Sequence, residues 1–377
     1  MKRVSFIAAS LAAAFSSMSA QAQNSVTLYG IIDTGMTYLH NSGGDSTQIK
    51  MSNGNESGTR WGLTGKEDLG GGLKTIFTLE AGFSPTTGEI QQGGRFFGRQ
   101  VFVGLTADRW GTLTVGRQYD ATTDLVLPVQ GDNFLGGVFT SPGDVDNADA
   151  SARFNNSIKY ASPVWAGLQA EAMYAVGGVA GASGSGQSYI GALAYTIHHL
   201  SLALGYTHID NGNAILSTRG TTTSDTLFNS AVNSAYASAS AIDIARAGAA
   251  YTAGPVTFGG YYSFSKYQSD ASSTFVTPEK YNNGSIYANW QISAFLNAEI
   301  GYTYMKSSGD SSAKYNQFAV AADYFISKRT DFYAWAAYTH ATGQNGMGSA
   351  QAVIGSTDIN AGASSQANLT VGIRHRF

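Results

Sequence analysis

The chain has no cysteine in 377 residues, and Asp, Glu, Lys and Arg together supply only 12% of it. The first absence excludes a small scaffold held by disulfides. The second is about half the charge of an ordinary soluble domain, yet no stretch after the first 22 residues is a continuous apolar run long enough to cross a bilayer as a helix. What is abundant instead is glycine and aromatic side chain, with 46 Gly, 21 Tyr and 19 Phe. A chain poor in charge and without membrane helices points to the other backbone arrangement a bilayer tolerates, a closed sheet in which every donor finds a neighbouring strand. Secreted sandwiches rich in Gly and Tyr share this composition, so the strands must choose between the two.

The N-terminus carries Lys2 and Arg3, an apolar stretch from Val4 to Phe15, and then Ser19-Ala20-Gln21-Ala22, a small-x-small cleavage pattern. Residues 1–22 therefore read as an export signal and residues 23–377 as one mature domain. Removing the signal takes two basic and no acidic residues from totals of 22 Lys+Arg and 25 Asp+Glu, leaving a net charge of about −5. Nothing in that balance points to nucleic acid.

Strand periodicity runs from end to end. The last residues put Ala367, Leu369, Val371, Ile373, His375 and Phe377 on one face and Asn368, Thr370, Arg374 and Arg376 on the other. From Leu296 to Tyr304 the apolar face holds Leu296, Ala298, Ile300, Tyr302 and Tyr304, and the polar face holds Asn297, Glu299, Gly301 and Thr303. A glutamate in mid-strand needs water. Leu168 to Val176 with Glu171, and Leu73 to Ala81 with Lys74 and Glu80, read the same way.

The links sort by length. Short ones fall at Asp68–Gly71, Asp108–Gly111, Pro163–Gly167, His198–His199, Ala253–Pro255, Ile292–Ala294 and Ser327–Thr330. Long ones alternate with them, at Asn41–Gly58, Ser84–Gly94, Ala121–Ala152, Gly177–Gln187, Asp210–Ala241, Gln268–Glu279, Ser307–Ala313 and Ala341–Gln366. A Greek-key sandwich has no reason to sort its links this way, whereas an outer-membrane barrel has turns on its periplasmic side and loops outside. The fold is therefore all-β: an antiparallel transmembrane β-barrel of about sixteen strands, wide enough to leave an aqueous lumen. Tyr29, Trp61, Phe102, Tyr160, Tyr206, Trp290, Tyr324 and Phe377, near strand ends, are expected to form girdles at the headgroup level.

One loop has a single sign of charge. Ala121 to Ala152 contains Asp124, Asp132, Asp144, Asp146 and Asp149, follows Asp120, and holds no Lys or Arg. Parity puts Arg60 on the inner wall with Gly62, Thr64 and Lys66, and Arg153 with Asn155, Ser157 and Lys159. Arg99 stands in a stretch where both faces are small or apolar, and Arg117 shares the parity of Leu113 and Val115 unless a bulge intervenes. Opposed charge across a water-filled lumen makes a transverse field that passes ions and orients dipolar solutes.

The start Ser25-Val26-Thr27-Leu28-Tyr29-Gly30, the stretch from Arg60 to Gly70, the run from Arg99 to Leu105, the turn Gly116-Arg117-Gln118 and the final Gly-x-Arg-His-x-Phe together resemble the general-diffusion porins. Pro142 to Asp149 followed by Arg153 to Tyr160 resembles their beta-proteobacterial branch. This resemblance implies a sixteen-stranded, trimeric, water-filled pore whose third extracellular loop, about 121–152 here, folds inward and narrows the lumen. It implies a basic wall of Arg60, Arg99 and Arg153, with Arg117 a fourth candidate, facing Asp124, Asp132, Asp144 and Asp146 of the loop. The chain departs from the family at the loop tip. Where many members have Pro-Glu-Phe-Gly-Gly, this chain has Asp132-Asn133-Phe134-Leu135-Gly136-Gly137, with Asp132 the candidate to replace the glutamate.

The expected function is passive diffusion of small hydrophilic solutes and ions, with mild anion preference and no cofactor. Expected partners are two further copies of the chain and outer-membrane lipids, lipopolysaccharide included. A solute-specific channel on the same barrel is the rival; it would carry an aromatic slide, for which Tyr261 and Tyr287 are too scattered. An adhesin role of the long loops would be an addition to the same fold. An enzyme is not expected, because the six histidines show no triad or metal spacing.

Overall fold

A computed structural model describes residues 25–178, 180–182, 185–210 and 227–377. The stretch expected to be an export signal and much of the 210–241 link lie outside them. The strands are β1 (Ser25–Ser42), β2 (Asp45–Asn53), β3 (Arg60–Gly70), β4 (Leu73–Gly82), β5 (Gln100–Ala107), β6 (Gly111–Gln118), β7 (Phe154–Ala161), β8 (Leu168–Ala175), β9 (Ser188–Ile197) and β10 (Leu200–Asp210). They continue with β11 (Ala241–Ala253), β12 (Val256–Gln268), β13 (Glu279–Ser293), β14 (Leu296–Ser308), β15 (Lys314–Phe325), β16 (Thr330–Thr342), the small hairpin β17 (Gln344–Asn345) and β18 (Gly348–Ser349), and β19 (Ser365–Arg376). Each barrel strand is antiparallel to the next, and β1 closes the sheet on β19 in the register Thr37↔Thr370.

The upper part of β1 pairs with β2 and its lower part with β3, so β2 and β3 are one stave broken at residues 54–59. Counting them as one gives a closed barrel of sixteen. This corrects the long link expected over Asn41–Gly58. Gly43 and Gly44, at φ 64° and 89°, make a two-residue turn, and a nine-residue strand follows it. Ile49 and Met51 face out from that strand, but two apolar residues among polar ones are too weak a pattern to read. At the break, the Asp33 carboxylate accepts from the backbone N–H of Glu56 and Ser57, both at 2.8 Å. The Asp33 N–H donates to Thr59 Oγ1 at 3.1 Å. Side chains thus replace the missing ladder.

Alternation is inside out, with Leu369 and Val371 each 51% exposed on the outer face and Thr370 fully buried on the inner. Tyr160, Tyr206, Trp290, Tyr324 and Phe377 lie on the exposed face near strand ends. Trp61 shares the outward parity and packs edge-on against Phe96 and Phe97. Two expected girdle residues are corrected. Tyr29 points inward and donates to Glu80 Oε2 at 3.0 Å, and Phe102 has the parity of Gln100, which lines the lumen. Phe102 stands in a run small or apolar on both faces, where hydrophobicity alone does not choose a side, whereas Tyr29 shares the parity of Ser25 and Thr27, opposite to the outward Val26 and Leu28.

The glycine content has a packing reason. Tyr29 stands opposite Gly62, Phe77 opposite Gly65 and Tyr333 opposite Gly372. In each pair the ring covers the neighbouring glycine so closely that an added Cβ would come within 2.8 Å, 2.1 Å and 2.2 Å of it respectively. Tyr333 also donates to Asp33 Oδ1 at 2.5 Å. Gly372→Val is therefore expected to push the Tyr333 ring off its site at a cost of roughly 1–3 kcal/mol. The check is the temperature at which the folded band is lost on an unboiled gel; an unchanged midpoint would refute the packing argument.

At the β19–β1 seam Arg374 sits among carboxylates. It meets Glu56 at 2.9 Å, Asp323 at 2.9 Å and Asp331 at 3.0 Å, and Arg376 meets Asp331 at 2.6 Å. Glu56, Asp323 and Asp331 lie close enough together to hold a cation, and the guanidinium of Arg374 fills that role.

Candidate functional site: a charged cavity in the lumen

The segment between β6 and β7 lies inside the barrel. Its first turn is the short helix Ala121–Leu125, capped by Asp120, whose Oδ1 accepts from the N–H of Thr122 and Thr123 at 2.7 and 2.9 Å. Side chains of the far wall hold the rest. Tyr287 donates to the Val129 carbonyl at 3.1 Å, Tyr267 to that of Val145 at 2.8 Å, and Gln317 to those of Val138 and Thr140 at 2.8 and 3.0 Å. Arg246 reaches Thr122 Oγ1, and Ser263 reaches Asp146. These ties from β11, β12, β13 and β15 press the loop to one side.

On the other side, against β19 and β1 to β5, a cavity of about 640 Å³ remains. Arg60, Arg99 and Arg153 all line it, with Glu80, Tyr119, Asp132 and Asp149. Glu80 receives Arg99 Nε at 2.9 Å and Arg60 Nε at 3.6 Å. Tyr119 Oη accepts from Arg99 Nη2 at 2.6 Å and Arg153 Nη2 at 3.0 Å, with the Arg153 guanidinium 5.0 Å from its ring centre. Three guanidinium groups thus converge around one carboxylate and one phenol.

The structure separates the other expected residues. The register shift opposite Arg117 puts its extra residue on β7, at Asn156, so Arg117 stays opposite Val101 with the parity of Leu113 and Val115 and does not turn to the cavity. There it donates to the Gly98 carbonyl at 2.8 Å and Asn155 Oδ1 at 2.6 Å, off the cavity lining, where it ties β6 to its neighbours. Asp132 reaches the cavity; Asp124 instead pairs with Lys159. Asp144 accepts from the N–H of Asp149 at 3.0 Å and of Ser151 at 3.4 Å, so it shapes the loop's own backbone. Asp146 takes the hydroxyls of Ser141, at 2.7 Å, and Ser263, so it fastens loop to wall. Single-sign charge in a loop does not say which carboxylates its turns consume.

Burial, with Asp149 and Asp144 nearby, pushes the Asp132 carboxyl well above the usual carboxylate range. Burial also raises Asp149, opposed by the Ser356 hydroxyl and by Arg153 and Arg99. Glu80 and Tyr119 complete the cluster unannounced. Alternation places Glu80 on a polar face, but its bridging of two arginines on other strands is a cross-sheet relation that one strand does not display.

A closed sheet with an apolar exterior, a polar interior and a loop lying in its lumen defines a passive pore of the outer membrane. The Gram-negative porin profile matches residues 8–344, and the chain belongs to that family. An outer membrane porin protein of Bordetella pertussis is 39% identical over 177 residues, which is 43% of this chain and 45% of that protein. Outer membrane porin protein 32 of Delftia acidovorans is 28% identical over 97% of this chain and 98% of its own length. Among solved structures, an anion-selective porin from Comamonas acidovorans superposes with a TM-score of 0.73 at 24% identity, covering 94% of this chain and all of that one. A trimer form of OmpT from Vibrio cholerae gives 0.66 at 13% identity, over 94% of this chain and 99% of the other.

Proposed function

We propose that this pore admits small hydrophilic solutes and ions with a mild preference for anions, that the loop over 121–152 sets its aperture, and that it works as a homotrimer in contact with outer-leaflet lipid, lipopolysaccharide included. The observation that carries the selectivity is the imbalance on the cavity wall. Arg60 and Arg99 share Glu80 as their carboxylate partner, and Arg153 is bonded to the Ser151 carbonyl and Tyr119 Oη. The loop carboxylates that reach the cavity, Asp132 and Asp149, are held toward their neutral form by burial. Positive charge wins in a narrow, poorly screened passage.

A solute-specific channel is less well supported. Tyr261 and Tyr287, on β12 and β13, are 4% and 5% exposed, and Tyr287, like Tyr267, is spent on the loop. In a planar bilayer under a salt gradient the reversal potential is expected to have the sign of anion preference. Current block that saturates at low concentration of a neutral sugar would favour the rival.

The trimer is supported by the apolar outer face of β1 to β6, where Val26, Leu28, Met36, Ile49, Met51, Val103 and Val115 are exposed, and by the solved trimer form of the OmpT relative in fold. Purified in mild detergent, the protein is expected to run as a heat-modifiable band and to scatter light as three copies. A monomeric mass before boiling would count against it.

A further inference from the structure

The opposite side of the barrel carries a feature that the pore does not use. On the outer face of β12 to β15, just above the tyrosine level at the long-loop end, stand Lys266, Lys280, Lys306 and Lys314. Register places them as two like-charged pairs: Lys266 directly opposite Lys280, and Lys306 directly opposite Lys314. Lys306 also stands opposite Asn282, two residues along β13 from Lys280, which joins the pairs into one patch. Lys280, Lys306 and Lys314 are exposed. Among the described residues no carboxylate forms an ion pair with any of the four. The one in register with the patch is Asp243, opposite Lys266. Its oxygens are taken by Tyr206 and His208, both at 2.7 Å, and by Gln268.

Like charges directly opposed across a sheet are destabilising. A protein whose charged residues are only 12% of its sequence has here grouped four of one sign in one exposed place. Their height is informative: Tyr304 is the outward residue next to Lys306 on β14, and aromatic rings on a barrel's exterior sit at the headgroup level. Four neighbouring strands span roughly 15 Å laterally, the scale of a headgroup carrying more than one phosphate. We propose that this patch is a binding site for a phosphate-bearing glycolipid of the outer leaflet, whose phosphates neutralise the opposed lysines. This rests on the outer-membrane orientation given above and locates the lipid contact on specific residues.

The test replaces all four lysines by glutamine and follows thermal unfolding in detergent with and without added lipopolysaccharide, with phosphatidylethanolamine and inorganic phosphate as comparison additives. Lipopolysaccharide is expected to raise the midpoint of the natural protein and barely move that of the variant, and glycolipid retained through purification should fall on the order of ten-fold or more. Without lipopolysaccharide the variant should be at least as stable as the natural protein, because the repulsion is gone; a purely structural role predicts the reverse. An equal lipopolysaccharide shift in both proteins, or an equal shift with inorganic phosphate alone, would overturn the proposal. Reversal potential reads the pore separately: a change of sign in the natural protein would sink the anion reading and leave this site standing.

Discussion

Replacing Arg99 by glutamine is expected to move the reversal potential toward cations further than any other single lumen substitution, lowering the anion-to-cation permeability ratio on the order of two- to five-fold. Arg99 is the buried member of the cluster, bonded to both Glu80 and Tyr119. Its loss removes a charge and also leaves Glu80 less compensated. Arg60→Gln and Arg153→Gln should act in the same direction. Asp149→Asn should act the other way, and Asp132→Asn less so, because its raised pKa already keeps it partly neutral. The same shift fixes a pH sign: as pH rises, Asp132 and Asp149 ionise and anion preference declines. Lys306 faces outward on β14 and supplies the control. If Lys306→Gln moved the reversal potential as much as the arginine variants, the wall would not set selectivity.

The largest effect on stability is expected at Arg374. Arg374→Met strands Asp323 and Asp331, each with its side chain almost entirely out of solvent, and takes the donor from Glu56; breaking a buried pair from one side costs roughly 3–5 kcal/mol. The folded band should be lost at a markedly lower temperature, and adding Asp331→Asn should restore part of the loss. A variant that melted like the natural protein would refute the seam's role. This seam has its own pH dependence. Burial pushes Glu56 up to about 9, above its unfolded value, so the stability it contributes is present at low pH and is lost as pH rises toward 9. Glu56→Gln keeps an acceptor for Arg374 and should flatten that slope.

Much of this could be read before any coordinates. Glu299 among Ile300, Ala298 and Leu296 forces one face wet, and the ordering of short and long links then selects a barrel over a sandwich. Arg60 could be set on the inner wall because it takes the opposite parity to the outward Trp61, whereas Arg153 reaches the cavity from just before β7, across a register shift that breaks its parity with Ile158. Around Phe102 both faces are small or apolar and parity has nothing to act on; Tyr29 shares the inward parity of Ser25 and Thr27, a cue that its aromatic ring near a strand end obscures. The broken stave was hidden because Asp45–Asn53 is mostly polar and is completed by the carboxylate of Asp33, on another strand. Asp144 and Asp146 were indistinguishable from Asp132 by composition; hydrogen bonds to their own loop and to Ser263 set them apart.

The hydrogen bonds that hold the inward loop have a regulatory consequence. They come from four different strands and grip it at Thr122, Val129, Val138, Thr140, Val145 and Asp146, so no stretch between them is long enough to swing as a flap. On the function proposed above, the aperture is then set when the chain folds. Among the described residues, then, the inward loop is a fixed part of the wall and not a hinged gate, and a change in intake through it would follow from the number of copies in the membrane.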